Sequence, residues 1–224
     1  MDIRFLGHAA FELFDGQRRV LIDPFITGNP RSPVGPGDLE PTTILLTHGH
    51  ADHIGDTVDI AKRTGAPVVA VVELAGELGE EGVQTFDPNL GGTVELDWGW
   101  VRLVPAWHTS TTPKGTVSTP AGMVIRFGGR TVYHLGDTAL FSDLALPGAR
   151  DELDVALVCI GGHYTMDRHD AGTAAGLVGA RTVIPCHYDT FPPIETDVEA
   201  FRADVESSTA SDVIVLEPGA SHSL

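Results

Sequence analysis

Two cysteines in 224 residues, Cys159 and Cys186, are too few for a disulfide framework. Each ends an apolar run, so both read as buried strand residues carrying reduced thiols. Cys186 precedes His187, and on an extended segment its side chain points to the opposite face, into the core. Basic residues are also scarce: 14 Lys and Arg stand against 31 Asp and Glu, a net charge of −17. The only adjacent basic pairs are Arg18-Arg19 and Lys62-Arg63, so there is no basic stripe. Such a surface repels polyanions and anionic membranes, which disfavours nucleic acid as a partner. No apolar run approaches the roughly 18 residues of a membrane helix. The opening Asp2-Ile3-Arg4-Phe5-Leu6 has no basic segment followed by an apolar one, so cytoplasmic residence is the expectation.

What is present is ordinary globular material. A hydrophobic share of 42% and a mean hydropathy of +0.06 fit one domain spanning 1–224 with room for a full core. Gly 26 and Pro 15 supply many turns. Short β-branched runs, among them Arg18 to Ile22, Thr43 to Leu46, Pro67 to Val72 and Leu153 to Ile160, alternate with helical patterns at Ile54 to Thr64, Ala171 to Gly179 and Val198 to Val205. That alternation predicts an α/β fold. Thr138 to Leu144 reads as a helix and Val213 to Leu216 as the closing strand. Two irregular segments stand out, Ile26 to Pro41 and Thr109 to Pro120; their placement predicts that both border the functional cleft.

The densest chemistry lies in Thr47-His48-Gly49-His50-Ala51-Asp52-His53, between a predicted strand and a predicted helix. Loops at strand ends are where α/β folds place their chemistry. His48 and His50, two apart, point the same way on an extended segment, and Gly49 lets the backbone turn so that both rings converge. Asp52 and His53 lie past the turn and aim elsewhere, so one run can feed two metals. A polar loop of solvated histidines is the plain alternative, but it does not explain four ligand-type side chains in six positions.

HxHxDH after a strand resembles the signature of the metallo-β-lactamase superfamily. Three further features follow in that family's order: His108 after Val101 to Trp107, Asp137 in Gly136-Asp137-Thr138, and His187 after Val183-Ile184-Pro185-Cys186. The resemblance implies a four-layer α/β/β/α sandwich with two divalent transition-metal ions in the cleft, zinc first and Mn, Fe or Ni as alternatives. Carried over by position, His48, His50 and His108 bind one ion, Asp52, His53 and His187 the other, and Asp137 bridges them. A metal-bound hydroxide is then the nucleophile, and Asp52 is also a candidate to steer it. The short chain and Gly161-Gly162-His163-Tyr164-Thr165-Met166-Asp167 narrow the likeness to the bacterial UPF0173 metal-dependent hydrolases, relatives of ascorbate-6-phosphate lactonase. In that group a histidine after the first strand and another after Gly-Gly face the cleft, so His8 and His163 are assigned to substrate contact or proton transfer. His134 reads as a core histidine and His169 as a surface one, while His222 carries no signal.

The expected activity is hydrolysis of an ester, lactone or phosphoester of a small molecule. A small anionic substrate remains compatible with the metals, and homo-oligomerisation stays open. The competing classes are a nuclease or phosphodiesterase of the same fold, which would need a basic face, and a diiron redox protein, which would usually append a flavin domain. A relative without activity would be expected to have lost ligands, and none is missing.

Overall fold

The computed structural model describes all 224 residues. Most of its strands fall on the apolar runs of the sequence. β1 (Asp2–Phe5), β2 (Phe11–Phe14), β3 (Arg19–Ile22), β4 (Thr43–Leu45), β5 (Val68–Val69) and β6 (Thr85–Phe86) lie side by side in one sheet. β7 (Thr93–Leu96), β8 (Gly99–Pro105), β9 (Ala121–Phe127), β10 (Arg130–His134), β11 (Val155–Cys159), β12 (Thr182–Cys186) and β13 (Asp212–Val213) form the second. β14 (Ser221–Ser223) returns to pair antiparallel with β1 at the edge of the first. Each sheet is mixed. β1 to β3 are antiparallel and β3 to β6 parallel; β7 to β10 are antiparallel and β10 to β13 parallel.

The parallel strands are short apolar runs because both of their faces are covered. β11 shows this: all five residues are buried, Val155 and Leu157 in the core shared by the two sheets, Ala156 and Val158 in the core under the outer helices. α2 (Thr57–Thr64) and α3 (Val72–Glu80) contribute Ile60, Leu74 and Leu78 to the first core. α5 (Arg168–Val178) and α6 (Val198–Ser208) contribute Ala171, Ala174, Phe201 and Val205 to the second. Helices, sheet, sheet and helices therefore stack in four layers, as expected. No helix is long and apolar enough to cross a membrane.

Several local expectations change. The helix predicted over 54–64 is two, α1 (Ala51–Ile54) and α2, because Gly55 breaks it at φ +38°, with the position of an added Cβ only 2.3 Å from the Pro24 carbonyl oxygen. The helix predicted over 138–144 begins later, as a 3₁₀ turn Ser142–Leu144 running into α4 (Ala145–Arg150). Thr138 serves instead as an acceptor for the Trp107 amide. The closing strand shrinks to β13, and β14 was not foreseen, since Ser221-His222-Ser223 carries no apolar pattern.

No residue of the segment 26–41 lines the cavity at the strand ends, although Arg31 reaches the Asp189 carbonyl near it. Asp56 accepts from the amides of Ile26 and Thr27, and Arg63 pairs with Glu40 and donates to the carbonyls of Pro36 and Leu39, so the loop is tied to α2.

Candidate metal centre

The motif begins at Thr47, two residues beyond β4, and its geometry starts from Asp23, one residue beyond β3. These strands are parallel neighbours, so their ends lie together. Asp23 is fully buried, at φ +44°. Its Oδ1 accepts from the Thr47 amide at 2.8 Å, and its Oδ2 accepts from the Thr47 hydroxyl at 2.6 Å and from His53 Nδ1–H at 2.8 Å. With its hydrogen spent on Asp23, Thr47 Oγ1 can only accept from His48 Nδ1–H, 3.0 Å away. One carboxylate thus sets the tautomers of two histidines and turns both Nε2 lone pairs inward. The sequence reading passed over Asp23 as the start of a loop; an acid at the end of the strand beside the motif strand was the available signal.

Gly49 has a different role from the one expected. Its φ is not positive; it provides space, because an added Cβ would meet Thr112 Cγ2 at 2.7 Å. Its amide donates to Ser110 Oγ at 2.9 Å, which anchors the motif to the segment after His108.

Ligand-type atoms converge in three overlapping groups, each within 4.8 Å: His48, His50 and His108; His8, Asp52, His53 and His187; and His48, His53 and Asp137. Asp137 joins them. Its Oδ2 lies 3.0 Å from His187 Nε2, 3.4 Å from His53 Nε2 and 3.6 Å from His108 Nε2. His48 Nε2 is 3.0 Å from His50 Nδ1. His53 Nε2 is buried without a hydrogen-bond partner, although the same ring is well bonded through Nδ1. Such an orphaned donor atom among converging imidazoles and carboxylates fits a metal ion.

His8 sits at φ +59° in the turn after β1, its carbonyl accepting from the His187 amide at 2.7 Å. Its Nδ1 is 2.9 Å from Thr190 Oγ1, and its Nε2–H donates to Asp52 Oδ2 at 3.0 Å. His8 therefore reaches the centre, as expected. His163 does not: it is exposed at φ +50°, with its ring edge-on to that of Tyr164, and Tyr164 faces the cavity in its place. His134 is a satisfied core histidine, accepting from the Gly136 amide and facing the Ala9 carbonyl. His169 is exposed on α5, and His222 is half-buried on β14.

Electrostatics bind the centre together. Burial opposes charge on Asp137, yet His187 and His53 outweigh it and hold the carboxyl well below the usual range. Burial also opposes a charged His53, but Asp137 and Asp23 hold that ring well above 6.5. Burial pushes His48, His50 and His108 down, and brings His8 down to about 4 despite its bond to Asp52. Neutral imidazoles are the ligating form. His53 is the one that would release a proton on metal binding.

The centre opens into a cavity of about 610 Å³ whose remaining walls are Phe25, Ala51, Thr109, Tyr164 and Phe191. Of the segment Thr109 to Pro120, Thr109 alone reaches the cavity wall. Phe191 and Tyr164 were not foreseen as walls, because aromatic residues in loops look alike in sequence.

Two facing mixed sheets with histidines and aspartates gathered at their strand ends define a metal-dependent hydrolase of the metallo-β-lactamase fold. The family model described as "Beta-lactamase superfamily domain" matches residues 18–188. A UPF0173 metal-dependent hydrolase of Thermus thermophilus is 47% identical over 202 residues, covering 90% of this chain and 89% of the relative. One from Deinococcus radiodurans is 46% identical over 224 residues, covering 98% and 97%. Among solved structures, Igni18, described as a novel metallo hydrolase from the archaeon Ignicoccus hospitalis, superposes with a TM-score of 0.90 at 37% identity, covering 99% of this chain and 97% of that one. The chain belongs to the β-lactamase superfamily and, within it, to the UPF0173 metal-dependent hydrolases.

Proposed function

We propose that this hydrolase holds two divalent ions, zinc first, and cleaves an ester, lactone or phosphoester of a small molecule. The observation that carries this reading is the position of Asp137 Oδ2, within 3.6 Å of ring nitrogens from both histidine groups. His48, His50 and His108 would hold one ion, Asp52, His53 and His187 the other, and Asp137 both. Bound there, the ions would supply an activated water and polarise the bond under attack.

The chain's own residues do the rest. Asp23 keeps the His48 and His53 rings in one tautomer, so that neither must reorganise when a ligand arrives. Asp52 lines the cavity beside His8, His53 and His187, a position from which its carboxylate could steer a water or accept its proton. His8, neutral at pH 7, donates to Asp52 Oδ2 and restrains the carboxylate; it is also placed to pass a proton towards the leaving group. His163, exposed beside Tyr164 and outside the cavity lining, would touch only a substrate that extends past Tyr164.

Metal analysis of the purified protein beside a panel of lactone, ester and phosphodiester substrates tests the reading. Two ions per chain and turnover of one class are expected. His50→Ala should lose an ion that His222→Ala retains; unchanged metal content in the His50 variant would overturn the ligand assignment.

A further inference from the structure

Apart from the residues of the centre itself, every wall of the cavity is uncharged: Phe25, Ala51, Thr109, Tyr164 and Phe191. The Phe25 and Phe191 rings are 6.4 Å apart and tilted by 39°. The His8 ring meets both edge-on, at 5.6 Å and 5.8 Å, so the three make one aromatic wall. The wall is assembled by the fold, because Phe25 follows β3, Phe191 follows β12 and His8 follows β1. Both phenylalanines are only half-buried and leave ring surface open to the cavity. An aromatic pair so exposed gains by covering a planar or apolar group.

Charge points the same way. The basic residues of the two flanking segments are engaged elsewhere: Arg31 with the Asp189 carbonyl and Glu217, and Lys114 with Glu81. Neither lines the cavity. Asp52 and Asp137 face the cavity and Asp23 lies just behind His53, so three carboxylates would offset most of the charge of two divalent ions, and no arginine or lysine stands beside them to add the bidentate contacts that favour a phosphoryl dianion.

The geometry points to an uncharged aryl or otherwise planar carboxylic ester or lactone as the substrate class, seated with its planar group on Phe25 and Phe191 and its carbonyl towards the centre. This rests on the hydrolase reading above and narrows it. Water's oxygen forms the new bond to the acyl carbon, the acyl C–O bond breaks, the leaving alkoxide takes one of water's two protons, and the other is released to solvent. An ester yields a carboxylate and an alcohol, and a lactone yields a hydroxy acid.

The test compares dihydrocoumarin, p-nitrophenyl acetate and p-nitrophenyl phosphate on the metal-loaded wild type, Phe25→Leu and Phe191→Leu. Calorimetry of phenylacetamide binding to the metal-free proteins runs alongside. Turnover of dihydrocoumarin or the acetate but not the phosphate is expected. Each leucine variant should raise KM about three- to tenfold with kcat nearly unchanged and both ions retained, and should weaken phenylacetamide by a similar factor. Preference for the phosphate, or KM and phenylacetamide affinity unmoved in both variants, would overturn the inference. Phenylacetamide binding that depends on Phe191, with no turnover of any substrate, would uphold the aromatic site and overturn the hydrolase reading instead.

Discussion

At the scale of single residues, Asp23 and His8 separate two kinds of support. Asp23 touches no cavity, yet three donors converge on its carboxylate. Asp23→Asn replaces an acceptor oxygen by an NH₂ group that faces donors, so either Thr47 or His53 must turn away. Loss of such support typically costs about 10- to 100-fold in metal affinity. Competition against a chelator should show that loss, and equal affinity in the variant would remove Asp23 from the centre. His8 lines the cavity and bonds to Asp52, but the two proposed ion sites are complete without it. His8→Ala should keep both ions while kcat falls by roughly 10²-fold or more, the ordinary contribution of a positioned proton-transfer group. Loss of an ion would make His8 a ligand, and unchanged kinetics would leave it a structural role.

At the scale of elements, the short α1 matters because it ends where it does. Gly55 closes it so that the chain can pass beneath Pro24 and Phe25, bringing β3's end against the motif. Gly55→Ala places a Cβ at 2.3 Å from the Pro24 carbonyl oxygen and 2.6 Å from Phe25 Cα, at a φ that suits glycine. A destabilisation of about 2 kcal/mol or more is expected from strain and overlap together. Urea unfolding of the metal-free variant measures it; a cost under about 0.5 kcal/mol would mean the turn relaxes freely. β11 and β12 place Cys159 and Cys186 in register on neighbouring strands, both free and fully buried. Burial pushes the Cys159 thiol up to about 12 and Cys186 upward as well, so the pair behaves as core, in line with the sequence reading.

At the scale of the whole molecule, the buried histidines give the metal-free protein a pH dependence of its own. Burial holds His8 at about 4 and also lowers His48 and His134 from 6.5. These rings bind protons more readily in the unfolded chain, so stability is lost as pH falls below 6.5. His53 has the opposite sign: although burial disfavours its charge, Asp137 and Asp23 raise it. Its contribution is complete below 6.5 and is lost as pH rises through its folded value. Thermal unfolding in chelator from pH 5 to 9 should therefore show a maximum near neutrality. A Tm that keeps climbing above pH 8 would mean that His53 is neutral in the folded, metal-free protein.

How much was legible follows from how local each cause is. The HxHxDH run was visible as a local pattern at a strand end, His108, Asp137 and His187 through the family resemblance, and the structure brings all seven side chains together. The two sheets were visible as apolar, β-branched runs between turns. Asp23 was invisible because its partners come from 24 and 30 residues away and depend on β3 lying beside β4. The aromatic wall joins three loops that only the stacking of the sheets makes neighbours. His163 falls outside the cavity lining for the same reason: Gly161 and Gly162 signal a turn, but which of the two following rings enters the cavity is decided by the backbone at that turn. Local chemistry by itself determined the α/β class and the HxHxDH run, and the family resemblance added His108, Asp137 and His187. Pairing between distant strands decided which carboxylate orients the His48 and His53 rings and which aromatic rings line the cavity.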